Sequence, residues 1–153
     1  METEPPILPA GEVTLYHLDG GWGSSVAVAD SLTHFRGVTI MSSNLLTADL
    51  AALLRRSLSY HSTYDGEPLR CFIPRHGLHF DDPEAAVDAL VCLECHLIYF
   101  FIGDQELHYA LSETAVSVLT TLFRSAEPAS RGLGPAQILH EASFSAVDKP
   151  DVQ

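Results

Sequence analysis

Apolar and polar positions change period several times along this chain, and each change marks an element. The run Glu12-Val13-Thr14-Leu15-Tyr16-His17-Leu18 alternates, which predicts a strand. Gly20 to Ser25 reads as a loop, and His34 to Met41 as a second strand. Leu46, Leu50, Leu53, Leu54 and Leu58 then recur at helical spacing, predicting a helix from Asn44 or Thr47 to Ser59. Asp49 near its start and Arg55-Arg56 near its end complement the helix dipole, and the arginine pair reads as a solvated helix end.

The second half begins with two short strands, Leu69 to Ile73 and Leu78 to Asp81, separated by Pro74-Arg75-His76-Gly77. A tetrad led by proline and closed by glycine suits a type I turn between hairpin strands. Residues 87–102 are almost continuously apolar, the pattern of a strand buried on both faces. Gly103-Asp104 supplies a two-residue hairpin signal ahead of Gln105 to Tyr109. Ser112 caps a second helix whose apolar stripe is Ala115, Val116, Leu119, Leu122 and Phe123. The sum is an α+β fold, an antiparallel sheet of about five to six strands with two helices packed on one face.

Residues 1–11 are rich in Pro and Glu and read as a flexible lead-in, residues 12–125 as a single α+β domain. Residues 126–153 contain Pro128, Gly132, Gly134 and Pro135 and read as a flexible tail, with a short helical turn at Gln137 to His140.

Charge narrows the partners. There are 20 acidic against 8 basic side chains and a formal charge of -12. A polyanion is repelled by such a surface, which argues against nucleic acid and anionic membranes and favours a protein partner with a basic surface. No apolar stretch is long enough to span a membrane, and Met1-Glu2-Thr3-Glu4-Pro5-Pro6 does not start a signal peptide, so the expected location is cytoplasmic. In a reducing compartment three cysteines do not make a disulfide framework, and the odd count leaves at least one unpaired.

Those cysteines are unevenly placed. Cys71, Cys92 and Cys95 fall close to His76, His79 and His96. Cys71-x-x-Pro74-Arg75-His76-Gly77 followed by Cys92-x-x-Cys95 resembles a set of uncharacterised small bacterial proteins that carry the same turn and a Cys-x-x-Cys strand. The likeness covers residues 69–102 and implies a shared fold, with no activity attached to it.

Three accounts of the cluster stand side by side. Cys71, His76, Cys92 and Cys95 can bind zinc as thiolates and a neutral imidazole, the ligand types that ion prefers. Cys92 and Cys95 can form a dithiol–disulfide couple, although Glu94 and an apolar setting would raise the thiol pKa. The cysteines can instead be plain buried hydrophobes. In a simple meander Cys92 and Cys95 point to opposite faces, and Cys95 lies about 20 Å from Cys71, so only a bulge brings them together. A zinc knuckle also expects a small turn-former after its second cysteine, where this chain has His96.

Two further residues are candidates for binding. Arg75 at its turn can offer a cation to an anionic ligand. Trp22, the single tryptophan, sits between glycines and is either a cap on the core or a partner contact. His79 with Asp81-Asp82 resembles a metal trio but reads more simply as turn solvation. Nucleophile elbows, phosphate loops and His-Glu-x-x-His helices are missing. The expected function is therefore a small acidic cytosolic interaction protein of unassigned role, whose cysteine cluster either holds one structural zinc or is simply buried. The alternative is a metal- or thiol-dependent enzyme built on Cys71, His76, Cys92 and Cys95.

Overall fold

A computed structural model describes residues 4–21 and 33–126. Among these residues, seven antiparallel strands and two α-helices give an α+β architecture. In chain order these are β1 (Val13–Leu18), β2 (His34–Phe35), β3 (Val38–Leu45), α1 (Ala48–Ser57), β4 (His76–Phe80), β5 (Val87–Cys92), β6 (Leu97–Ile102), β7 (Gln105–Ala110) and α2 (Glu113–Ser125). They lie in the order β2-β3-β1-β4-β5-β6-β7.

The count exceeds the expected five to six because two apolar runs are each folded in half. Residues 34–41, expected as one strand, turn at Arg36 and Gly37, whose φ angles of 51° and 82° allow a two-residue hairpin between β2 and β3. Residues 87–102, expected as one buried strand, turn at 93–96 between β5 and β6. Continuous hydrophobicity hid that reversal, since no glycine or proline marks it.

Hydrophobic alternation decides which face each strand side chain takes. Val13 and Leu15 of β1 oppose Phe80 and Leu78 of β4, which in turn oppose Val87 and Ala89 of β5. Ile98 and Phe100 of β6 continue the row, and all belong to one buried cluster. Ala51, Leu54 and Leu58 from the α1 region and Ala115, Leu119 and Phe123 of α2 belong to the same cluster. Thr47 caps α1, its Oγ1 accepting the Leu50 N–H at 3.2 Å, and Ser112 caps α2 through Ala115 N–H at 3.1 Å.

The segment before β1 has no helix or strand but is tied to the domain. Arg55 at the end of α1 donates to the carbonyls of Pro9 (2.6 Å) and Gly11, and the Tyr109 hydroxyl donates to the Glu4 carbonyl at 2.7 Å. No helix among the described residues is long and apolar enough to cross a membrane. Trp22 and the helical turn expected at 137–140 lie outside the described residues.

Candidate functional site: a three-cysteine turn

Cys92 ends β5, and the chain reverses through Leu93, Glu94, Cys95 and His96 before β6. Two hydrogen bonds close this turn. The Cys95 N–H donates to Cys92 Sγ at 3.1 Å, and the His96 N–H donates to the Leu93 carbonyl at 3.3 Å. His96 takes a φ of 57°, a left-handed conformation that glycine adopts most readily. Its carbonyl accepts the Leu111 N–H at 2.7 Å, which anchors the turn to the start of α2.

The expected strand at 69–73 is absent. That segment instead runs irregularly beside the turn, with Leu69 N–H donating to the Cys95 carbonyl at 3.2 Å and Ile73 N–H donating to Cys92 Sγ at 3.4 Å. Nor do residues 74–77 form the expected hairpin turn, because β4 already starts at His76 and pairs with both β1 and β5. Cys71 therefore passes alongside Cys92 and Cys95. All three sulfurs lie within 4.8 Å of one another, which corrects the expectation of 20 Å between Cys71 and Cys95.

Cys71 and Cys95 are joined as a disulfide, with Cα atoms 5.6 Å apart. The couple considered from the sequence was Cys92 with Cys95; the bond instead joins Cys95 to Cys71. Cys92 keeps its thiol and is buried, as is Cys95, whereas Cys71 is exposed. Burial raises the Cys92 pKa, and the Ile73 and Cys95 amides, which favour a thiolate, oppose it only in part. Glu94 adds a further upward push. Phe72 and Tyr99 stack at 3.9 Å over this corner and pack on the cysteines and Leu97.

His76 does not join the sulfurs. It pairs across β4 and β5 with Val91, whose side chain belongs to the cluster shared with the helices, while Cys92, the next residue, faces the other way. Its ring lies 5.1 Å from His17 and 4.6 Å from Phe123; burial, with His17 and Arg75 adding to it, lowers its pKa to about 4, so the imidazole stays neutral. The expected four-ligand set thus resolves into three sulfurs on one side of the sheet and an imidazole on the other.

Arg75 is exposed at the rim of the turn and its Nε lies 2.9 Å from Glu94 Oε1. That carboxylate raises the guanidinium pKa, so the cation expected to meet an external anion already has an internal one. Both partners are more than half exposed, and a pair of that kind contributes little to stability.

Asp88 was missed in the sequence, hidden as a single polar letter in an apolar strand. It is buried and receives Arg36, with Nε and Nη2 both 2.9 Å from its Oδ2. His79 Nδ1 donates to its Oδ1 at 2.6 Å. Arg36 also sits 4.4 Å from the centroid of Phe101. His79 Nε2 reaches Asp81 at 3.5 Å, while Asp82 accepts the Glu84 and Ala85 amides at 3.0 and 2.7 Å, the turn role expected of it. The histidine thus serves an ion-pair network that holds the β2–β3 hairpin to the sheet.

Comparison of the chain with protein-family models, with curated proteins and with solved structures finds no match to any of them.

Proposed function

We propose that this chain is a small acidic interaction protein whose three-cysteine turn is a redox-gated zinc site. The convergence of Cys71, Cys92 and Cys95 within 4.8 Å carries the reading. A tetrahedral zinc with bonds of about 2.3 Å places its sulfurs about 3.8 Å apart, within reach of small side-chain rotations here. The amide donated to Cys92 Sγ by Cys95 is the kind of second contact that fixes a thiolate ligand. As a disulfide, Cys71 and Cys95 cannot act as thiolates, so reduction must precede metal binding. His76 is not a ligand in this proposal, and the fourth position is open to water or to a partner's side chain.

The formal charge of -12 favours docking onto a basic protein surface, an association that weakens as salt rises.

The test is cobalt and zinc titration of the fully reduced, chelator-treated protein. One metal per chain, with a thiolate-to-cobalt charge-transfer band, supports the site. Binding should vanish in the oxidised protein and in Cys92→Ser, and survive in His76→Leu. A folded, fully reduced chain that takes no metal overturns the zinc reading.

A further inference from the structure

Thiol–disulfide exchange needs a thiolate beside a disulfide and a leaving sulfur that can carry the charge. The cluster supplies the thiol, the disulfide beside it and an exposed leaving sulfur. Cys92 keeps a thiol whose sulfur lies within 4.8 Å of both members of the Cys71–Cys95 bond. Two backbone N–H groups, from Ile73 and Cys95, donate to that sulfur, so charge formed there during exchange keeps hydrogen-bond partners inside the fold. The charged and titratable neighbours are Glu94 on the same turn, Arg75 paired with it, and Tyr99 on β6, whose own pKa is raised by burial and by charge on Glu106 and Cys92.

Which sulfur is attacked follows from solvation. Attack on Cys71 would leave the departing charge on Cys95, which is fully buried. Attack on Cys95 instead moves it from the buried Cys92 to the exposed Cys71, where water can solvate it.

We infer that the turn is an internal thiol–disulfide relay, in which buried Cys92 passes its thiol to the surface at Cys71. The Cys92 thiolate attacks Cys95 Sγ, the Cys92–Cys95 bond forms, the Cys71–Cys95 bond breaks, and its electron pair leaves on Cys71. One disulfide and one thiol are present before and after, and the proton released by Cys92 is regained at Cys71. No external oxidant or reductant takes part. The freed Cys71 thiolate can then attack a small-molecule disulfide, keeping one half as a mixed disulfide and releasing the other as a thiolate. The site is thus a place of reversible S-thiolation. The inference rests on the same three-sulfur centre as the zinc reading, in its oxidised and metal-free state.

The experiment uses the full-length oxidised chain with chelator present. The native protein receives a brief pulse of N-ethylmaleimide, then a heavy isotopologue after denaturation, with no reductant at any stage. Peptide mapping by tandem mass spectrometry follows. The first label should fall on Cys71 at least about tenfold more often than on Cys92, in molecules whose disulfide joins Cys92 and Cys95. First label on Cys92 with the Cys71–Cys95 bond intact overturns the relay, and so does the absence of any first label.

Cys92→Ala should keep the Cys71–Cys95 bond and take no label, and label on its Cys71 would also overturn the relay. If that variant fails to fold, the ratio in the wild-type chain decides. Metal titration of the reduced protein is independent of this outcome, so either reading can fail alone.

Discussion

The amide of Cys95 donates to the sulfur of Cys92 at 3.1 Å, and this bond closes the turn that divides a mostly apolar stretch into β5 and β6. The strain of that turn falls on His96 at φ 57°. A residue with a Cβ is disfavoured there by about 1–2 kcal/mol, β-branched side chains most of all. His96→Gly should therefore leave stability unchanged or raise it by about 1 kcal/mol, while His96→Val should lower it by about 2 kcal/mol. Urea unfolding of the two variants checks the order, and a glycine variant less stable than the valine one would show that the His96 side chain holds the turn.

A neutral histidine inside the fold makes stability depend on pH. His76 has its pKa lowered to about 4 by burial, with His17 and Arg75 adding to the effect, against 6.5 for the unfolded chain. Between those values the unfolded state binds more protons, so stability is fully present above about pH 6.5 and falls as pH drops toward 4. The whole loss from this group is at most about 3 kcal/mol. Denaturant midpoints measured from pH 7 to 4 should fall less steeply in His76→Leu than in the wild type. Parallel curves would place the titration elsewhere.

Asp88 is a buried carboxylate serving two cations or donors at once, Arg36 and His79. Removing it leaves Arg36 without the anion over which β2 and β3 are folded. Asp88→Ala should cost about 2–3 kcal/mol, less than a fully buried pair because Arg36 is about one-third exposed. His79→Ala should cost less, and the double variant less than the sum of the two. A double-mutant cycle in urea reads the coupling directly, and additive losses would mean that the 2.6 Å contact carries no energy of its own.

Local signals carried the elements with a clear period and a cap. Ser112 opened α2 as expected, Thr47 was the one of the two offered starts that caps α1, and Gly103 with φ 59° marked the β6–β7 hairpin. What failed were reversals made without the usual residues. His96 occupies a glycine conformation, and Arg36 shares one with Gly37, so the alphabet that signals turns was silent or weak at both. The same omission misplaced the site. Once residues 87–102 were read as a single strand, Cys92 and Cys95 had to face apart, and Cys71 had to lie a strand-length away. Long-range hydrogen bonds decide otherwise, from Leu69 to Cys95 and from Ile73 to Cys92, and no short window of sequence contains them. His76 was misjoined for the converse reason, since closeness in sequence to Cys71 does not reveal that it faces the other side of the sheet.

Reduction of the Cys71–Cys95 bond should measure how much the fold relies on it. The two cysteines are 24 residues apart, and closing a loop of that length in the unfolded chain is worth about 3 kcal/mol. The reduced, metal-free protein should therefore unfold at markedly lower urea than the oxidised one. Zinc binds the folded reduced cluster in preference to the unfolded chain, so adding it at a hundredfold excess over its Kd should restore about 2.7 kcal/mol. The same addition should leave the oxidised protein unmoved, because two of its three sulfurs are bonded to each other. Cys92→Ser separates the contributions: it retains the stabilising disulfide, yet once reduced it should gain far less from zinc than the wild-type chain does. Equal rescue of the reduced variant would locate the metal away from this turn.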